Sequence, residues 1–169
     1  LSLGYQISLT NVVCAWLMVT GGLNPVAAVI IAILMNTGIG IMNGLIIVKS
    51  HVAPLIVTLA VLNILNGLSF MVSKGLPIFG FPASFAVAGQ GSIGGFPISL
   101  IVMIAIFVVG AVILTKTYFG RYFYAIGSNE EAAKLSGINT AKLKILAYGL
   151  GGFLTSIGAL LMLSRTNSG

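Results

Sequence analysis

Pro25-Val-Ala-Ala-Val-Ile-Ile-Ala-Ile-Leu-Met-Asn-Thr-Gly-Ile-Gly-Ile-Met-Asn-Gly-Leu-Ile-Ile-Val48 carries no charged side chain from end to end. A hydrocarbon core of about 30 Å is crossed by ~20 helical residues, so the stretch is long enough to span it. Lipid offers no partner to loose backbone N–H and C=O groups, which makes a helix the required conformation. Pro25 suits the first helical turn, where the missing N–H has no intrahelical partner to lose.

Working outward, four more apolar stretches read the same way: 3–20, 54–72, 97–115 and 145–163. Those at 54 and 97 also open with proline. Composition agrees, since 58% of the 169 residues are hydrophobic and 6% are charged, against roughly 25% charged in soluble domains. So few charges cannot cover a soluble surface, and the bilayer must act as solvent for much of the chain. The fold class expected is all-α, a polytopic membrane helix bundle with about five transmembrane helices. Residues 1–169 read as one domain, expected to be part of a longer protein.

Orientation follows from the cations. Between 1 and 115 only Lys49 and Lys74 are charged, whereas Lys116, Arg121, Lys134, Lys142 and Lys144 crowd one connector. By the positive-inside rule, Lys49, His51 and the loop 116–144 are cytoplasmic. Only Lys74 and Arg165 fall on the other side, where snorkelling at the interface or contact with an external protein would employ them. The turn Gly22–Pro25 and the loop 73–96 then face outward. Phe79, Phe81, Phe85 and Phe96 in that loop suit an interfacial belt, a segment dipping back into the membrane, or a contact with an external partner. The net charge of +6 is explained by topology, and no aromatic or groove-reading motif accompanies it to suggest nucleic acid.

The cytoplasmic connector contains a short helix near 129–136. Ser128 is expected as its N-cap, with Glu131 three residues on completing a capping box. Glu130 and Glu131 stand where the helix dipole favours negative charge. Ala132, Ala133, Lys134 and Leu135 propagate the helix, and Gly137 offers a left-handed stop. About two turns cannot persist alone in water. The segment either caps the membrane domain as a solvated loop helix or docks on another protein, with Ala132, Ala133 and Gly137 as a small-residue face and Leu135 and Ile138 as anchors.

The segment Gly120-Arg121 … Tyr124-Ala-Ile-Gly-Ser-Asn-Glu-Glu-Ala-Ala-Lys-Leu-Ser-Gly-Ile138 resembles a cytoplasmic loop of the branched-chain amino acid and monosaccharide permease family of ATP-binding-cassette importers, closest to its ribose-type branch. Leu1-Ser-Leu-Gly, and Gly44-Leu-Ile-Ile-Val-Lys followed by Val52-Ala-Pro-Leu-Ile-Val-Thr-Leu, extend the likeness over the chain. Members have about ten membrane helices, so about half a subunit is represented. The family's acidic residue before the Leu-Ser-x-Gly element would fall ahead of Leu1, and Ser128 stands where glycine is frequent. The resemblance implies that Gly127, Ser128, Asn129, Glu130, Glu131, Ala132, Ala133, Leu135 and Gly137 form a coupling helix seated in a cytoplasmic ATP-binding subunit. It further implies a second permease subunit, as homo- or heterodimer, an extracytoplasmic sugar-binding protein, and a place in the bacterial inner membrane.

This chain is not expected to be an enzyme. It has no phosphate-loop motif, so ATP and Mg are expected on the partner subunit and no cofactor here. Cys14 and His51 are each the only residue of their type, and no metal site is expected. Polar residues within the spans need partners away from lipid. Asn36, Gly40 and Asn43 share one face of the second span, and Asn63 and Asn66 share a face of the third. Their amides suit sugar hydroxyls along a translocation pathway. They equally suit interhelical bonding, with Gly40-x-x-x-Gly44 as a close-packing motif. The span 97–115, with only Ser99 and Thr115 as polar residues, is expected toward lipid, and the glycines of 145–163 point to tight packing. An ion- or proton-coupled transporter or channel is the competing class. It calls for ionisable groups inside the membrane, and the five stretches hold none.

Overall fold

The computed structural model describes residues 1–50, 52–81, 85, 91–93 and 95–166; His51 and much of the loop 73–96 lie outside the described residues. Among the described residues there are seven helices and one two-stranded ribbon. The helices are α1 (Leu3–Val19), α2 (Pro25–Ser50), α3 (Pro54–Ser73), α4 (Ile98–Lys116), α5 (Tyr118–Ser128), α6 (Glu130–Leu135) and α7 (Thr140–Thr166). Strands β1 (Ser92–Ile93) and β2 (Phe96–Pro97) pair antiparallel just ahead of α4, with Ile93 opposite Phe96. The chain is thus the expected helix bundle. Helices α2, α3, α4 and α7 are long and apolar enough to cross a membrane, and α1, at 17 residues, is a shorter apolar helix.

Helix ends shift from the sequence expectation, α2 running on to Ser50 and α7 to Thr166, and two shifts at helix starts have visible causes. Pro97 stands outside α4 as its N-cap, with ψ at 136°, because it pairs in the β ribbon. The last span begins at Thr140, so Lys142 and Lys144 belong to α7 and not to a loop. The side chain of Asn139 explains this, since its Oδ1 accepts from the Lys142 backbone N–H at 3.0 Å and caps the helix early.

The centre of the bundle is the crossing of α2 and α7, and glycine creates it. A Cβ placed on Gly40 would run into the Tyr148 carbonyl, and one on Gly44 would lie 2.8 Å from Ile145 Cα. Reciprocally, a Cβ on Gly152 would stand 2.5 Å from the Asn36 backbone oxygen. Without these side chains the two backbones approach within reach of direct polar contact, and Asn36 Nδ2 donates to the Gly152 carbonyl at 3.0 Å. Gly149, Gly152 and Ser156 are buried in this seam, while Gly151 and Gly158 face open space.

Helix α1 lies against α2, α3 and α7, burying Cys14, Ala15 and Met18 with Ala28, Ala32, Leu160 and Leu163. Phe81 and Phe85 join this cluster, their ring centroids 5.9 Å apart, and Ser164 Oγ donates to the Phe85 carbonyl. The loop 73–96 therefore packs into the bundle at those two rings, while Phe79 and Phe96 stay exposed. Helix α4 is apolar all round and buries none of its residues against the other described elements.

Candidate functional site

The connector between α4 and α7 is more structured than its sequence suggests. At Thr117 the backbone is extended, with φ −113° and ψ 163°, which breaks α4 from α5. Gly120 then sits against the last turn of α4, where any Cβ would collide with the Leu114 carbonyl. Helix α5 exposes Tyr118, Phe119, Tyr122 and Tyr124, and the Arg121 guanidinium lies over the Tyr118 ring at 4.5 Å. The sequence reading overlooked this helix; the spacing of Tyr118, Phe119 and Tyr122 on one helical face was the available signal.

Because α5 continues through Ser128, that residue is helical and cannot cap the next helix. The capping box expected from Ser128 is corrected: Asn129 is the N-cap, extended at φ −158°, and its Oδ1 accepts from the Ala132 N–H at 3.0 Å. Asparagine and serine cap about equally well, so the end of the preceding helix decides between them. Helix α6 then runs six residues and closes as expected at Gly137, whose φ is 81°. The Ile138 N–H returns to the Ala133 carbonyl at 3.1 Å, a left-handed helix stop.

Of the nine residues assigned to the connector site, five lie on α6: Glu130, Glu131, Ala132, Ala133 and Leu135. Gly127 and Ser128 end α5 and are exposed, Asn129 joins the helices, and Gly137 ends the second. The expected small-residue face is altered at one point. Ala133 is 4% exposed and turned into the protein, whereas Ala132 and Gly137 are open and Leu135 is 91% exposed. Leu135 is thus the apolar side chain that α6 holds outward.

Charge fixes the helix from its inner side. Glu130 Oε2 accepts from Lys144 Nζ at 2.5 Å, and Glu130 Oε1 lies 3.5 Å from Lys134 Nζ one turn along. The hydrogen bond from Lys144 holds the Glu130 carboxyl below the usual range of about 4.5. Beside this pair a cavity of about 430 Å³ is lined by Ile47, Pro54, Lys134 and Thr140, so α6 stands over the end of the bundle shared by α2, α3 and α7.

The asparagines separate into two pairs. Asn36 and Asn43 are buried to 0% and 1% exposure, between α2 and its neighbours. Asn36 bonds α7 at the Gly152 carbonyl, and Asn43 Nδ2 reaches Ser2 Oγ at 3.4 Å, which also accepts from Gln6 Nε2 at 3.2 Å. The side-chain oxygens of Asn36 (Oδ1), Asn43 (Oδ1) and Gln6 (Oε1) have no partner among the described residues. Asn63 instead is exposed and donates to the Leu59 carbonyl of its own helix, and Asn66 is half-buried. The structure therefore does not bring the four together. The sequence reading also passed over Ser2, Gln6 and Thr10, all buried, although their spacing of four marks one polar face of α1. Among the described residues no group of three or more His, Cys, Asp or Glu is gathered for a metal ion.

Comparison with known proteins bears on this arrangement. All of residues 1–169 match the family described as branched-chain amino acid transport system / permease component. The ribose import permease protein of Bacillus subtilis is 38% identical over 170 residues, covering 99% of this chain and 52% of its own length. The ribose import permease protein of Escherichia coli is 35% identical, covering 99% of this chain and 53% of its own. The galactose/methyl galactoside import permease protein of Salmonella typhimurium is 35% identical over 186 residues, covering 99% and 55%. The chain thus spans about half the length of the curated relatives it matches. No solved structure matches it.

Proposed function

The chain belongs to the branched-chain amino acid transport system permease component family, and from that premise we propose that it is part of the membrane-spanning subunit of an ATP-binding-cassette importer for a monosaccharide. It sits in the bacterial inner membrane as a multi-pass protein, with the connector that holds α5 and α6 on the cytoplasmic side. Helix α6 is the coupling helix. Asn129, Glu131, Ala132, Leu135 and Gly137 present its outer face to a separate ATP-binding subunit, which holds ATP and Mg and carries out hydrolysis. A second permease subunit completes the pathway, and an extracytoplasmic sugar-binding protein delivers the solute. Ribose-type sugars are favoured, because ribose is the solute named for the Bacillus subtilis and Escherichia coli relatives.

One observation supports the coupling role most strongly: Leu135, 91% exposed, projects from a capped helix whose inner side is fixed by Glu130 and Ala133. A helix that is rigid behind and apolar in front is suited to transmitting displacement from a partner's groove. ATP binding on the partner would bias the permease between two states.

The test is reconstitution. The full-length permease, co-expressed with its neighbouring ATPase and receptor, should co-purify with the ATPase and import labelled ribose only with ATP on the connector side. Leu135→Asp should abolish co-purification. Uptake driven by a proton gradient without ATP, or labelling of Leu135→Cys from outside intact cells, would defeat the proposal.

A further inference from the structure

A six-residue helix has no stability of its own to transmit force. What it transmits depends on how it is tied to the span behind it. Helix α6 leads into α7 through four residues, 136–139, with Gly137 in the left-handed region at φ 81°. Such a link at one end alone is a hinge, about which α6 could swing without moving α7.

The opposite end of α6 is tied as well. Glu130, its first residue, accepts from Lys144, in the second turn of α7, at 2.5 Å. Fixed at both ends, α6 keeps its direction relative to α7. The place of Lys144 adds to this. The next residue, Ile145, is the one whose Cα would stand 2.8 Å from a Cβ on Gly44, so the turn that carries the lysine is in backbone contact with α2. Lys134 also approaches Glu130, at 3.5 Å, but both belong to α6 and that pair bridges nothing.

We infer that the Glu130–Lys144 ion pair is a latch that makes α6 and α7 move as one body and delivers displacement of α6 to the α2/α7 crossing. Glu130 is on this view a positioning residue directed inward, while its neighbour Glu131, exposed, is left to the partner. The inference rests on the coupling role proposed for α6, but its structural half can be tested without that role.

Spin labels on Leu135→Cys and Leu146→Cys, both exposed positions, report the distance between α6 and α7 in the full-length protein in lipid nanodiscs. The native pair should give one narrow distance distribution. Glu130→Gln and Lys144→Gln should each broaden it, the charge swap Glu130→Lys with Lys144→Glu should narrow it again, and Lys134→Ala should leave it narrow. In proteoliposomes of the whole complex, the single variants should consume about 3- to 10-fold more ATP per labelled ribose imported, with the swap restoring much of the loss. A distribution unchanged in Glu130→Gln, or one that stays broad in the swap, overturns the latch. Absence of ATP-driven uptake in the unmodified complex would instead overturn the importer reading, and the label distances would still decide the latch.

Discussion

Gly151 and Gly152 are neighbours on α7 with opposite surroundings, and replacing each by alanine isolates the energetics of the α2/α7 crossing. A Cβ on Gly152 would lie 2.5 Å from the Asn36 backbone oxygen, where ordinary contact begins at 3.4 Å, so the helices must separate by about 0.9 Å. The same separation carries the Asn36 Nδ2 to Gly152 carbonyl bond from 3.0 Å to about 3.9 Å, beyond hydrogen-bonding range. Overpacking of this kind costs about 1–3 kcal/mol, and an interhelical hydrogen bond in a membrane adds ~0.6 kcal/mol on average. A Cβ on Gly151 meets nothing within 4 Å. Alanine gains up to about 1 kcal/mol of helix propensity at either site, so the difference between variants reports the crossing alone. That difference, roughly 2–3 kcal/mol, corresponds to a melting-temperature gap of roughly 5–10 °C for a chain of this size. Cys14 supplies the assay, because it is fully buried and reacts with a thiol-specific fluorophore only when the bundle opens. Gly152→Ala melting within about 2 °C of Gly151→Ala would refute the claim that backbone contact at this crossing holds α2 to α7.

Asn36→Leu should lower the melting temperature by removing the bond that ties α2 to the Gly152 carbonyl of α7, whereas Asn63→Leu, removing only a bond within α3, should melt as the native protein does. Reduced ribose uptake in Asn63→Leu with unchanged assembly would mark that face as pathway lining; unchanged uptake would remove it. The latch also carries a pH dependence. The Glu130 carboxyl is held below its usual value of about 4.5 by the hydrogen bond from Lys144. Its contribution is therefore full above that usual value and is lost as pH falls through the lowered one. Label distances between α6 and α7 should be identical at pH 7 and pH 5.5 and should broaden only under more acid conditions. Broadening between those two values would contradict it.

How far the sequence disclosed this architecture depended on the range of the interaction that decided each element. The spans were legible because exclusion from water acts on every residue of a stretch, and Gly40 and Gly44 because close packing leaves a local signature. Helix α5 was not, since the break at Thr117 and the close approach of Gly120 to Leu114, which set it off from α4, leave no local signature. The choice of Asn129 over Ser128 as cap turned on where α5 stopped, which the pattern from 128 onward does not contain. The asparagines were undecided in the sequence for a chemical reason. An amide suits a neighbouring carbonyl as well as a sugar hydroxyl, and only the helix arrangement separates Asn36, seated against Gly152, from Asn63, bonded within its own helix.

The long-range pair Glu130–Lys144 was invisible for a further reason, and that reason bears on mechanism. Fourteen residues and a glycine turn separate the two, so no helical spacing predicts their meeting. They meet because Asn139 starts α7 early enough to bring Lys144 into its second turn, level with α6. Two routes then lead from α6 into the membrane. One passes back through α5 to α4, across the break at Thr117, into a helix that buries none of its side chains. The other passes through the ion pair to α7 and, at Ile145 and Tyr148, directly onto the backbone of α2. A displacement crosses a turn and an unburied helix on the first route, but a two-point attachment and a glycine-lined crossing on the second. The stiffer route is the one through Lys144, so on the coupling role proposed for α6 a displacement of that helix is expected to appear first as a motion of α2 and α7 together.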